Sequence, residues 1–150
     1  MSTQEQHDPR EVFVRLMRAE LSARIRGRDG DPMRFEAGRL EGPIDDRDVG
    51  CVWFEGTRPH SRAGIVGEHY YRVRVFRRWR QTVEQGNDGG AVHAALLELQ
   101  RDLEAALASQ LAGTPGHDYY VVREVSPDYV GQHVEAQLTA FCDNPTAPGM

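Results

Sequence analysis

The stretch 69–81 constrains this chain most, because its side chains alternate with a period of two. Tyr71, Val73, Val75 and Trp79 fall on one face, while Arg72, Arg74, Arg78 and Arg80 fall on the other. A helix would scatter both sets around its axis, so the segment reads as a strand of a half-buried sheet. Arginines in such numbers on one face are not core. The apolar face needs a covering layer.

Two amphipathic segments can supply that layer. In the first, Asp8 is placed as N-cap, Pro9 suits the first helical position, and Glu11 completes a capping box. Val14, Met17, Leu21 and Ile25 form its stripe, Phe13 and Leu16 widen it, and Gly27 is expected to close it as a C′ glycine. The second is expected over 91–111, capped by Asn87 or Asp88. Its Val92, Leu96, Leu99, Leu103, Leu107 and Leu111 repeat at spacings of three and four, a stripe about 30 Å long.

The remaining strands are expected at 49–55, 119–125 and 132–141, the last alternating Val134, Ala136, Leu138 and Ala140 with polar residues. Between them, 28–50 reads as a long loop with one short strand near 33–35, and 57–67 as an exposed, mobile connection. The order α-β-β-α-β-β with short turns implies an α+β fold: an antiparallel four-stranded sheet with two helices packed on one face. A chain of 150 residues fits one domain, spanning 1–150 with 1–7 and 143–150 as flexible tails.

Motif chemistry is sparse. The six histidines never fall in HxH or HExxH spacing, and no nucleophile elbow, phosphate loop or dinucleotide fingerprint is present. Asp45, Asp46 and Asp48 read as a solvated acidic loop, and His117-Asp118 as a turn. Cys51 and Cys142 lack metal-ligand spacing and are expected as free, buried thiols. The expectation is a non-enzymatic protein with no metal or cofactor. With no signal-like start and no apolar run near 20 residues, it is expected to fold in a cytoplasm and to have no membrane partner.

Charge narrows the choice of partners. The net charge of −5 argues against general nucleic-acid binding. All 18 basic residues are arginine, whose planar fork favours bidentate carboxylate contacts. The arginine face also carries Tyr70 and Phe76, and aromatics among arginines typify interface patches. Two readings stay open: a solvated outer sheet face, or an interface comprising Tyr70, Arg72, Arg74, Phe76, Arg78 and Arg80. In the second reading, Glu98, Asp102 and Glu104 of one subunit's second helix meet the arginine strand of the next. Replacing Arg72, Arg74 and Arg78 by Glu is then expected to impair assembly and leave the monomer folded.

The layout over 8–141 resembles the tail terminator family of long-tailed bacteriophages and phage-like particles, including gene transfer agent-like particles. The resemblance rests on YYRVRVFRRWRQ at 70–81, HAALLELQRDLEAALASQL at 93–111 and HVEAQLTAF at 133–141. It implies a virion structural protein of the tail or neck, assembled in the host cytoplasm. Such a protein forms a homo-oligomeric, hexameric ring that caps the tail tube, stops its polymerisation and offers the head a docking surface. The implied partners are the tail tube protein and the head–tail connector or stopper protein. DNA would pass through the lumen without sequence-specific binding. The competing expectations are a head-completion or neck adaptor protein and a small cytosolic ligand-binding α+β domain.

Overall fold

The computed structural model describes residues 9–40, 48–59, 67–77, 89–108 and 119–142. The elements follow as α1 (Pro9–Arg24), β1 (Arg34–Ala37), β2 (Val49–Pro59), β3 (Gly67–Phe76), α2 (Gly89–Ala108), β4 (Tyr119–Asp128) and β5 (His133–Cys142). The fold is α+β, as expected, but the sheet is not the expected four antiparallel strands. It has five, in the order β1-β2-β3-β5-β4, and β1 runs parallel to β2. The added strand is the short one expected near 33–35; at four residues with one buried side chain it is too short to display alternation, which is why the four-strand expectation omits it. Its anchor is non-local. Phe35 lies across Gly50, where a Cβ would stand 2.3 Å from the ring, so only glycine admits this contact. Gly38 N–H then donates to Val52 C=O at 2.8 Å.

Helix α1 buries Phe13, Met17 and Leu21, spaced four apart, with Ile25 just beyond its end. Phe13 rather than Val14 centres the stripe: Val14 is partly buried and Leu16 is 39% exposed. The helix stops at Arg24, so Gly27 is not its C′ residue. A short turn follows, closed by Gly27 N–H to Asp31 C=O and Gly30 N–H to Gly27 C=O, with Gly30 taking the positive φ of 89°. Ser22 Oγ donates to Met33 C=O at 2.6 Å, which holds the turn against α1. Asp8 lies outside the described residues.

Helix α2 buries Leu96, Leu99, Leu103 and Leu107. The side chain of Val92, residues 87 and 88, and Leu111 lie outside the described residues. Tyr120 O–H donates to Leu107 C=O at 3.0 Å, satisfying one of the last carbonyls of α2.

Strand β2 continues past the expected end at Glu55. Residues 57–59 pair with 67–69 of β3, and a bulge between Phe54 and Gly56 absorbs the irregularity. Part of the expected mobile connection is therefore sheet, while 60–66 lies outside the described residues. Strand β4 also runs three residues further than expected, through Pro127, which an edge strand tolerates.

One core joins both helices to one sheet face. Helix α1 packs over β1 and β2, and α2 over β4 and β5. Central β3 lies between them: the Phe13 ring sits 4.2 Å from Tyr71 and 5.8 Å from Tyr120.

Candidate functional site

The alternation in β3 sends Tyr71, Val73 and Val75 into the core and Arg72 and Arg74 to the other face. Cross-strand register then decides what the arginines meet. Arg74 stands opposite Cys51 on β2 and Glu135 on β5; Arg72 stands opposite Trp53 and Gln137, diagonal to Glu135. The Glu135 carboxylate accepts from both arginines, from Arg74 Nε at 2.9 Å and from Arg72 Nη1. Arg72 Nε donates on to Glu55 at 3.0 Å. Two guanidiniums and two carboxylates therefore interlock, and their charges cancel.

These groups are half-buried, with side-chain exposures of 16% for Arg74 and 18% for Glu135. Burial pushes the Glu135 carboxyl up, but the hydrogen bonds and charges of Arg72 and Arg74 outweigh it and hold the group below its ordinary value. Burial likewise works against the charged form of Arg72, yet Glu135 and Glu55 raise it above its ordinary value. Arg74 also stacks over Trp53 at 5.2 Å, and Arg39 lies over the same ring at 5.7 Å. Arg74 Nη1 reaches Leu40 C=O at 3.5 Å, so the segment after β1 crosses this face. Beneath it, burial raises the pKa of the free Cys51 thiol above its ordinary value.

The other expected interface residues are less uniform. Tyr70 O–H donates to Glu68 at 3.2 Å on the arginine face. Phe76 is buried, its ring 4.8 Å from His133. Arg78 and Arg80 lie outside the described residues. On α2, Asp102 accepts from Arg77 Nη2 at 2.7 Å and Glu98 stands 3.6 Å from Arg77 Nη1, so both acids already meet a cation of their own chain. Glu104 is exposed. Arg77 also donates to Arg26 C=O at 3.0 Å and so ties the end of β3 to the turn after α1.

Sequence reasoning missed the acids of this lattice. Glu135 shared the polar face of its strand in plain view, but only the β3–β5 register places it between two arginines. His133 was missed too: it is buried, and neither ring nitrogen makes a hydrogen bond among the described residues. Its Nε2 lies 3.5 Å from Glu135 and 3.8 Å from Asp128.

The lattice can brace a surface. Among the described residues no group of three His, Cys, Asp or Glu side chains converges as a metal site, and no helix is long and apolar enough to cross a membrane. The one expected loop acid that is described, Asp48, accepts from Arg28 N–H at 2.8 Å; Asp45 and Asp46 lie outside the described residues. No protein-family model matches the chain, and a search of curated proteins returns no relative.

Proposed function

We propose that the chain is a ring-forming tail terminator, a structural protein that caps a tail tube, ends its polymerisation and presents a docking surface to the head. The observation that carries this reading is the one-sided sheet: helices and core on one face, and on the other the lattice of Arg72 and Arg74 with Glu135 and Glu55, its charges matched inside the chain. A face braced in this way is rigid and near neutral, which suits a subunit wall that works by shape. The resemblance of 70–81, 93–111 and 133–141 to terminators supports the same reading. The matched arginines and the net charge of −5 also fit a lumen that passes DNA without holding it.

The test mixes the purified protein with polymerising tail tube subunits and follows tube length by electron microscopy. The expected result is arrested tubes carrying one ring at one end. Tubes of unchanged length with bare ends reject the reading, and a ring on the head connector alone moves the protein to the neck adaptor class.

A further inference from the structure

Among the described residues, the most exposed large apolar side chain and an apolar-floored groove lie on opposite edges of the sheet. Val130, at the turn between β4 and β5, is 98% exposed, and neighbouring Tyr129 is 49% exposed. Hairpin turns usually carry Gly, Asn, Asp or Ser, so a solvent-facing valine with a tyrosine beside it is unusual. The tip is also held in place. Asp128 accepts from Gly131 N–H at 2.8 Å. Tyr129 stacks on His93 of α2 with ring centroids 5.8 Å apart and hydrogen-bonds its Nδ1 at 2.7 Å. It is an apolar knob on a stiff stem.

The groove lies between α1 and β2, past the end of β1. It encloses about 570 Å³, a size that receives apolar groups in other proteins. Val14, Trp53 and Phe54 line it together with Ala37, and Arg10, Arg15 and Arg18 outnumber Glu11 at its rim, leaving a net positive charge. Beyond Gly38, no described residue pairs with β2 on this side, so the groove also borders a strand edge.

We propose that the Tyr129–Val130 knob of one copy seats in the α1–β2 groove of the next. The inference rests on the ring-forming reading and names its interface. A second copy is the occupant that uses both features at once; a different protein would fill only one and leave the other bare in every subunit. Charge agrees, since the knob brings Asp128 toward Arg15 and Arg18. Position agrees as well. The order β1-β2-β3-β5-β4 puts groove and knob at opposite edges, so the contact is head-to-tail and repeats until a ring closes.

The test uses the full chain and three variants, with mass read by sedimentation velocity and folding by circular dichroism. V130E spoils the knob and A37W fills the groove; R15E/R18E, at exposed helix positions, is a second groove variant should A37W misfold. Wild type is expected to assemble with rising concentration, and each variant alone to need about tenfold or more protein to do so. A one-to-one mixture of V130E with a groove variant retains one intact knob-and-groove pair, so a dimer is its expected largest species. Variants that assemble like wild type, or a mixture that stays monomeric, overturn the interface while the ring reading stands. A wild type that stays monomeric throughout overturns both. Rings that form through this contact yet never cap a tube leave the interface standing and remove the terminator reading.

Discussion

Glu135 shows how much one residue decides here. Its carboxylate joins two arginines of a neighbouring strand, and its pKa is held below the ordinary 4.5. A depressed carboxylate adds stability above its unfolded pKa, and that stability is lost as pH falls from about 4.5 through the lower folded value. E135Q is therefore expected to cost about 1–3 kcal/mol at neutral pH, as loss of charge-assisted hydrogen bonds. The cost should shrink as the pH falls below that range, so urea midpoints of variant and wild type converge in acid. A constant gap down to the acid limit would mean the carboxylate's charge contributes nothing. The same geometry revises an expectation from the sequence. From the sequence alone, replacing Arg72, Arg74 and Arg78 by Glu is expected to impair assembly and leave the monomer folded. With Glu135 and Glu55 in place, glutamates at 72 and 74 would crowd like charges together. Loss of monomer stability, visible in a thermal melt, is now expected alongside any loss of assembly. Alternation made the arginines legible; their acids depend on register, which no local pattern states.

At the scale of elements, length and period decided what could be read. Helix α2 repeats its buried leucines over about three turns, and β3 and β5 alternate through 71–75 and 134–138, so tertiary packing agrees with their local preference. L103A, at a fully buried position on that helix, is expected to cost about 2–5 kcal/mol in chemical denaturation. Strand β1 was barely legible because its stability comes from elsewhere, through Phe35 lying on Gly50 of β2. Adding side-chain volume at that glycine tests the point. G50V should push the ring aside and cost about 1–3 kcal/mol as overpacking. Its signature in hydrogen exchange is local: the Gly38 amide, bonded to Val52 C=O, loses protection while the paired amides of β3 and β5 keep theirs. Equal loss throughout the sheet would show that β1 is integral to global folding. The groove beside β1 was illegible for the same reason, since it exists where a short strand ends and a longer one continues.

For the whole molecule, the question is whether two helices over different halves of one sheet make one cooperative unit or two. Helix α1 covers β1 and β2, α2 covers β4 and β5, and direct contact between the helices is slight. Beyond the backbone pairing of central β3 with β2 and β5, what joins the halves is aromatic. Phe13 packs at 4.2 Å on Tyr71 of central β3 and at 5.8 Å on Tyr120 of β4, and Tyr120 in turn holds the end of α2 through Leu107. A single ring from α1 thus touches both halves of the sheet. F13A removes that link and is expected to cost about 3–5 kcal/mol, a large share of a total stability of about 5–15 kcal/mol. If the domain is one unit, amides of α1 and α2 lose protection together, since both open only in global unfolding. Should α1 exchange freely while α2 and β4–β5 stay protected, the helices belong to separately stable halves. A subunit built that way would be a poor wall for a ring, because contacts at its two sheet edges would strain the seam between them rather than pass through a rigid body.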